Sequence, residues 1–189
     1  MIYLYGNNSV AENIYDELES SSLKVNSIIV DDEYFIDTSS NSFGLKILPF
    51  SKLSFNKEDI VYNCIGYSTL NKRVEIGERL KKFNVLGTFI SKYASIGNSV
   101  IISAGTVILG NSTVERNVKI GNSCLIWGGA RVCHDAVLES GVFLASGSII
   151  GGYSVVGRFT SVGFNSSVKE RITVPPHTKV GANRYYCGK

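Results

Sequence analysis

The apolar positions of the chain follow one pattern before residue 88 and another after it. From Ile90 to Val180, every sixth residue is Ile, Val or Leu, and the residue two places earlier is usually small or β-branched. A fixed short period predicts a repeat architecture in which every unit supplies one short strand. We expect both marked side chains of each unit to point inward, so that stacked units share one apolar core.

Three six-residue units would close one triangular coil, so the fifteen steps between residues 90 and 180 predict about five stacked coils. Each strand would then pair with the strands one coil above and one coil below. The chain would turn a corner after each strand, and a glycine directly after the aliphatic residue is expected to help it turn. Such glycines are Gly97, Gly121, Gly151, Gly157, Gly163 and Gly181.

Before residue 88 the pattern is typical of alternating strands and helices. The predicted elements are strands over 1–5, 27–30 and 60–65 and helices over 10–18 and about 69–83. We therefore predict an α/β plus all-β chain. A small Rossmann-like α/β domain would span residues 1–88, and a parallel β-helix with a short tail would span residues 89–189.

The ends of the first two predicted strands carry a possible nucleotide site. The first strand runs into the turn Gly6-Asn7-Asn8-Ser9, and the second ends at Asp31 and Asp32. Nucleotide folds hold a phosphate at such a helix N-terminus and a sugar hydroxyl at such a carboxylate. The glycine fingerprint is reduced to Gly6, however, so spacing alone leaves nucleotide binding and ordinary turn chemistry both open.

Composition excludes several other classes of protein. Hydrophobic residues make up 44% of the chain and charged residues 19%, which fits neither a disordered nor a membrane-spanning protein. The net charge is +3 with scattered basic residues, so we expect no nucleic-acid partner. The four cysteines lack CxxC spacing and no signal peptide is recognised, which favours free thiols in the cytoplasm. Two histidines are too few for a three-imidazole site, so no metal is expected.

His134 is the strongest candidate for chemistry. It stands two positions after the inward Val132, so it should lie at a corner and point outward, and Asp135 follows it directly. An imidazole held by a carboxylate suits a general base near neutral pH. A solvated corner histidine without a function is the open alternative, since exposed polar residues need none. Gly152 stands one predicted coil, or three repeat units, after His134 and should stack directly above it.

Taken together, these features resemble the hexapeptide-repeat acyltransferases and, over essentially the whole chain, the bacterial sugar acetyltransferases of the NeuD/PglD family. The resemblance is carried by Tyr5-Gly6-Asn7-Asn8-Ser9, Val30-Asp31-Asp32, Asn63-Cys64-Ile65-Gly66-Tyr67, Ile90-Ser91-Lys92-Tyr93-Ala94-Ser95-Ile96-Gly97 and Val132-Cys133-His134-Asp135. It implies a left-handed β-helix, against the usual right-handed preference of crossovers. It also implies that the first domain holds the nucleotide of a nucleotide-linked sugar. The residues that would do so are Gly6, Asn8, Ser9, Asp31, Asp32 and Gly66.

The resemblance also implies a reaction. His134 would take a proton from the acceptor, Asp135 would orient the imidazole, and the Gly152 N–H would bind the developing oxyanion of the thioester of acetyl-CoA, the expected cosubstrate. Ala182, in an altered C-terminal motif, would border the coenzyme A groove. A covalent role for the neighbouring Cys133 is disfavoured because nothing else in the sequence activates that thiol.

We therefore expect direct acetyl transfer to the amine of a nucleotide-linked amino-deoxy sugar, with a 4-amino-4,6-dideoxyhexose for a surface glycan as the expected acceptor. The resemblance further implies a homotrimer in which a neighbouring prism completes the coenzyme A site. Two alternatives stay open: O-acetylation of a sugar such as sialic acid, and a non-catalytic β-helix that binds a nucleotide sugar. One departure bears on the substrate, since Trp127 stands where family members have Asn seven residues before the histidine.

Overall fold

The N-terminal part of the chain is a parallel α/β sheet. The structure is a computed structural model that describes residues 1–36 and 43–188, so the final residue of the predicted second domain lies outside it. The elements are β1 (Ile2–Tyr5), α1 (Ser9–Ser20), β2 (Val25–Val30), β3 (Ile47–Pro49), β4 (Ile60–Asn63), α2 (Leu70–Lys82) and β5 (Leu86–Gly87), with 3₁₀ turns at Asp32–Tyr34, Phe50–Lys52 and Tyr67–Thr69. In the described residues the strand order is β3-β2-β1-β4-β5, all parallel, which is the order of a Rossmann-like half.

The two helices cover opposite faces of this sheet. Alternate residues of β1 point to opposite sides, so Leu4 packs with α1 while Tyr3 and Tyr5 pack on the side of α2. Helix α1 begins where the Asn8 side chain accepts a hydrogen bond from the Val10 N–H at 2.9 Å, which satisfies one of the free amides of its first turn. The predicted elements are therefore present, with ends shifted by one to two residues.

Residues 89–186 form a triangular prism of two-residue strands. They are β6 (Phe89–Ile90), β7 (Ser95–Ile96), β8 (Ile101–Ile102), β9 (Val107–Ile108), β10 (Thr113–Val114), β11 (Lys119–Ile120), β12 (Leu125–Ile126), β13 (Arg131–Val132), β14 (Val137–Leu138), β15 (Phe143–Leu144), β16 (Ile149–Ile150), β17 (Val155–Val156), β18 (Ser161–Val162), β19 (Ser167–Val168), β20 (Thr173–Val174), β21 (Lys179–Val180) and β22 (Tyr185–Tyr186). Each strand pairs in parallel with the strand one coil away, as Val114 does with Val132. This is the expected left-handed parallel β-helix of hexapeptide repeats.

The strands lie on three faces. Face 1 holds β6, β9, β12, β15, β18 and β21; face 2 holds β7, β10, β13, β16, β19 and β22; face 3 holds β8, β11, β14, β17 and β20. The chain passes from face 1 to face 2 to face 3 and back, so three edges separate the faces. We name them the 1–2, 2–3 and 3–1 edges, each made by the residues that follow the strands of the first-named face.

The predicted inward position is confirmed for most of the repeat. From Ile108 to Val180, the aliphatic residue of every unit is at most 6% exposed and belongs to one core. Ile90 is less covered than the others: it is 42% exposed, because it belongs to the first coil and no coil of the described residues lies beneath it. The strand series also continues one unit further than the aliphatic pattern, to Tyr186.

The corners are made differently from the prediction. From Ile102 onward, the residue with a left-handed backbone is the third after each aliphatic, for example Asp135 at φ 58° and Tyr153 at φ 59°. The glycine directly after the aliphatic serves close approach instead: a Cβ on Gly151 would lie 2.5 Å from the backbone nitrogen of Glu170 in the next coil. Glycine at that position therefore lets one coil pack on the next.

The α/β sheet packs on face 1 of the prism. Apolar side chains of α1 and outward side chains of face 1, among them Phe89, Leu125 and Phe143, share one core. Helix α2 lies against the 3–1 edge, where a Cβ on Gly77 would collide with the Ser123 hydroxyl. The 2–3 edge lies opposite face 1, so the described residues of the α/β part leave it uncovered.

In the described residues, no helix is both long enough and apolar enough to cross a membrane.

Candidate active site

His134 and Asp135 lie on the 2–3 edge, directly after β13. Their side chains meet each other, with His134 Nδ1 3.0 Å from Asp135 Oδ2. The His134 side chain is 46% exposed, so the imidazole faces outward as the phase of the repeat predicts. The left-handed backbone of Asp135 is one that Asp adopts more readily than most residues do. An ionised carboxylate accepts hydrogen bonds only, so this contact favours the tautomer with its proton on Nδ1, which leaves Nε2 as the basic nitrogen.

Gly152 stacks on His134 in the next coil. A Cβ at Gly152 would lie 2.9 Å from Cε1 and 3.1 Å from Nε2 of His134, which shows how near the imidazole is to this backbone. The amide of Tyr153 donates to the His134 carbonyl at 3.1 Å and locks the two coils together. Within residues 1–36 and 43–188, the Gly152 N–H itself donates to no acceptor. A buried glycine with a free amide beside a base suits an oxyanion site.

A cleft of about 590 Å³ runs along this edge in front of the imidazole. Glu115 lies on its floor, where one carboxylate oxygen accepts the His134 backbone N–H at 2.9 Å and the other accepts from Arg131 at 2.5 Å. The Arg131 guanidinium holds the pKa of Glu115 below its usual range. The Tyr153 ring packs edge-on against the His134 imidazole, with the two ring centroids 5.1 Å apart. This contact limits rotation of the imidazole.

The carboxylate of Asp135 has a second partner. Asn117 Nδ2 donates to Asp135 Oδ1 at 3.0 Å. This hydrogen bond, and then the one to His134, lower the pKa of Asp135, so the group is ionised wherever a neutral imidazole exists beside it. Asn117 was not predicted, although it stands one coil length before Asp135 and that spacing could have revealed it.

Cys133 is poorly suited to covalent catalysis. Its side chain is partly buried, and this burial raises the pKa of the thiol, with the charge of Glu115 adding to the effect. A protonated thiol is a weak nucleophile. The geometry thus favours His134 over Cys133 as the reactive group on this edge.

A second cavity, of about 360 Å³, opens at the carboxyl ends of β1, β2 and β4. This is the switch point of the sheet, where strand order reverses and open α/β folds bind ligands. Three of the predicted nucleotide residues, Gly6, Asn8 and Asp31, line it, whereas Ser9, Asp32 and Gly66 do not. Further lining residues are Tyr5, Asn7, Val30, Tyr34, Ile47, Ile65, Thr69 and Lys72.

The two predicted carboxylates, Asp31 and Asp32, have partners inside the protein. Asp31 accepts from the Tyr5 hydroxyl at 2.7 Å and from Arg79 at 2.6 Å, and Lys72 lies 3.6 Å from its other oxygen. Asp32 accepts from the backbone and hydroxyl of Ser51. No sequence signal pointed to Lys72 and Arg79, because only the packing of α2 brings them to the end of β2. Asp31 thus pairs with two cations, of which Lys72 lines the cavity.

The predicted residues do not all meet within one chain. His134 and Gly152 share the 2–3 edge, whereas Ala182 follows β21 on face 1 and lies exposed on the 1–2 edge. The cavity at the end of β1 belongs to the α/β part that covers face 1, on the opposite side of the prism from His134. In the described residues no cluster of three or more His, Cys, Asp or Glu side chains could hold a metal ion.

Comparisons with known proteins agree with this architecture. The family described as bacterial transferase hexapeptide (six repeats) matches residues 117–152. The bifunctional protein GlmU of Clostridium beijerinckii is 33% identical over 91 residues, which are 46% of this chain and 18% of GlmU. The chain thus matches less than a fifth of the length of this curated relative.

Two solved structures are similar over nearly the whole chain. The acetyltransferase domain of PglB from Neisseria gonorrhoeae superposes with a TM-score of 0.85 at 16% identity, over 98% of this chain and 90% of that one. A variant of perosamine N-acetyltransferase from Caulobacter crescentus, in complex with CoA and GDP-perosamine, gives a TM-score of 0.84 at 19% identity, over 98% and 88%. In fold, the chain is therefore a Rossmann-like α/β region followed by a hexapeptide-repeat β-helix, which is the architecture of these two acetyltransferases.

Proposed function

We propose that this protein is an acetyl-CoA-dependent N-acetyltransferase that acts on a nucleotide-linked amino sugar, for which a 4-amino-4,6-dideoxyhexose of a surface glycan is the leading candidate. The observation that carries the proposal is the His134–Asp135 pair beneath the free amide of Gly152 on an exposed prism edge. The solved neighbour with CoA and GDP-perosamine bound supports both the cosubstrate and an amine acceptor.

The proposed chemistry needs one base and one oxyanion site. His134 Nε2 takes a proton from the sugar amine as its nitrogen attacks the thioester carbonyl of acetyl-CoA. The Gly152 N–H stabilises the negative charge that develops on the carbonyl oxygen, and the thiolate of CoA leaves. Asp135 stabilises the imidazolium that forms for the lifetime of the intermediate. The His134 imidazolium then gives its proton to the departing thiolate, so the products are an acetamido sugar and free CoA, and the base is regenerated.

In this proposal residues 1–88 bind the nucleotide and residues 89–189 carry out the transfer. The cavity at the switch point receives the nucleotide, with Gly6 and Asn8 among its lining residues, and Lys72 would turn from Asp31 and Glu75 to a phosphate. Ser9 and Asp32 would act indirectly. Ser9 is the first residue of α1, and Asp32 accepts a hydrogen bond from the Ser51 hydroxyl. Gly66, directly before the 3₁₀ turn Tyr67–Thr69, would shape the entrance.

One chain alone does not complete such a site. The cavity and His134 lie on opposite sides of the prism, so a sugar held by one chain reaches the histidine of another chain. Ala182, on the 1–2 edge, would likewise border coenzyme A bound at the His134 of a neighbour. These placements support the predicted homotrimer, because cyclic symmetry brings unlike edges of successive prisms together.

Incubation with acetyl-CoA and a panel of UDP-, dTDP-, GDP- and CMP-linked sugars tests the reaction. Release of free CoA thiol should depend on an amino sugar, and mass spectrometry should show one acetyl group added to it. An amide product survives mild hydroxylamine, whereas an ester is cleaved, so the treatment distinguishes N-acetylation from O-acetylation. Binding of nucleotide sugars without thiol release from any of them would instead favour the non-catalytic alternative.

Replacement of His134 tests the base. His134→Asn should lower kcat by about 10²- to 10⁴-fold, the usual cost of losing a general base. His177→Asn is the matched control, because His177 is the other histidine of the chain and also lies at a prism corner. Raising the pH should partly rescue His134→Asn with an amine acceptor, as more amine is deprotonated in solution. Retention of more than about a third of the wild-type kcat would rule out His134 as the base.

A further inference from the structure

The corner residues of the 2–3 edge form a column in which each lies one coil above the last. Ser99, Asn117, Asp135, Tyr153 and Arg171 occupy it, each three repeat units after the one before. From Asn117 upward, all have left-handed backbones with φ between 58° and 61°. Side chains of two successive pairs in this column contact each other: Asn117 Nδ2 donates to Asp135, and the Arg171 guanidinium lies 4.3 Å from the centre of the Tyr153 ring. The column is therefore a route by which one coil can orient groups of the next.

Asn117 is fixed at both ends within this column. Its backbone N–H donates to the Ser99 hydroxyl at 2.9 Å in the coil below. Its side-chain Nδ2 donates to Asp135 Oδ1 at 3.0 Å in the coil above. The second oxygen of the same carboxylate, Oδ2, lies 3.0 Å from His134 Nδ1. Each carboxylate oxygen thus has its own partner, so the plane of the carboxylate cannot rotate freely.

The consequence lies in the tautomer of His134. Neutral imidazole exists with its proton on Nδ1 or on Nε2, and only the first form leaves Nε2 free to accept a proton. We propose that Asn117 is a positioning residue: it holds Asp135 so that Oδ2 accepts the Nδ1 proton of His134, which keeps Nε2 unprotonated beside Gly152. The inference rests on the proposed role of His134 as the base. It concerns a residue that touches neither substrate.

The competing explanation is that Asn stands at residue 117 only because it tolerates a left-handed backbone. Asn111 provides a control for this. It has the same corner position on the 1–2 edge and φ of 60°, and within the described residues its side chain makes no hydrogen bond. Glycine adopts this backbone without strain, so Asn117→Gly and Asn111→Gly each remove a side chain and keep the corner.

Nuclear magnetic resonance of ¹⁵N-labelled imidazoles measures the tautomer without any substrate. The chain has two histidines, so His177 serves as an internal reference and His134 is assigned by its loss in His134→Asn. At a pH where the imidazole is neutral, we expect His134 of the wild type to carry its proton on Nδ1. Asn117→Gly should shift it toward a mixture of tautomers, and Asn111→Gly should leave it unchanged. His177 should not change in either variant.

Activity gives the second measurement. Asn117→Gly should lower kcat by about ten-fold, since misplacement of a catalytic group by about 1 Å costs up to 10²-fold. Its KM for acetyl-CoA should change little. Asn117→Asp, which keeps the shape but replaces a donor with a second carboxylate, should lower kcat further because like charges would face each other.

The outcomes separate this inference from the proposed function. A wild-type tautomer in Asn117→Gly, together with a kcat within two-fold of the wild-type value, would overturn the positioning role while leaving the acetyl transfer intact. Absence of acetyl transfer in the wild type would overturn the proposed function, yet a tautomer shift in Asn117→Gly would still establish the coupling between Asn117 and His134.

Discussion

At the scale of single residues, the candidate site depends as much on a missing side chain as on the histidine. His134 is exposed and held by Asp135, but a base needs space for the thioester beside it. Gly152 provides that space in the coil above, and its N–H has no acceptor within the described part of the chain. The site therefore requires one glycine at one position of one coil, which the repeat can supply without changing the fold.

Gly152→Ala should lower kcat by about 10²-fold, because the new Cβ would lie 2.9 Å from Cε1 of His134 and push the imidazole aside. Gly110→Ala is the matched control. Gly110 has the same position in its repeat unit on the 1–2 edge, and a Cβ there would make only ordinary contacts, the nearest at 3.4 Å. Steady-state kinetics of both variants check this, and equal activities would show that Gly152 has no special role.

The position of His134 could be predicted because the period fixes the phase of every residue. An aliphatic residue every six positions determines which side chains point inward, so a residue two places later must lie at a corner. The partners of Asp31 could not be predicted in this way. Its two cationic partners, Lys72 and Arg79, come from a helix about 40 residues further along the chain, and no local pattern in the sequence reports how that helix packs.

At the scale of elements, α2 joins the two parts of the chain through one buried arginine. Arg73 is fully buried, and burial lowers its pKa to about 10, so it stays charged at neutral pH. Its guanidinium donates to the carbonyls of Asn63 and Ile65 in the α/β part and to those of Gly105, Ser123 and Cys124 in the prism. Sequence patterns place a charged helix residue at the surface, so this link was not predicted.

Arg73→Met should destabilise the protein by at least about 3 kcal/mol, because five carbonyls lose a charged donor and stay buried. For a chain of this size, the loss corresponds to a fall in Tm of roughly 6 °C or more. Lys81→Met, on the exposed side of the same helix, should change Tm little. Thermal unfolding at one fixed protein concentration checks the difference, and hydrogen exchange should locate the new opening between α2 and the 3–1 edge. Equal Tm values for the two variants would contradict the role given to Arg73.

At the scale of the whole molecule, the placement of the α/β part decides which groups work together. It covers face 1 and flanks the two edges beside it, so the edge far from the cavity is the one that carries His134. The repeat predicted the prism. It did not predict which face the first domain would cover, because the outward residues of a strand do not indicate which element packs on them. That choice of face makes the proposed reaction depend on contacts between chains.

Mixing two inactive variants tests this central claim most directly. His134→Ala removes the proposed base, and Asn7→Trp puts a bulky side chain on the exposed rim of the cavity at the switch point. Each protein alone should release almost no thiol from acetyl-CoA in the presence of the amino sugar. If cavity and base come from different chains, random reassembly of a homotrimer from equal amounts should restore about a quarter of the wild-type sites. Mixed trimers, verified by mass, that stay as inactive as their parents would contradict a site shared between chains.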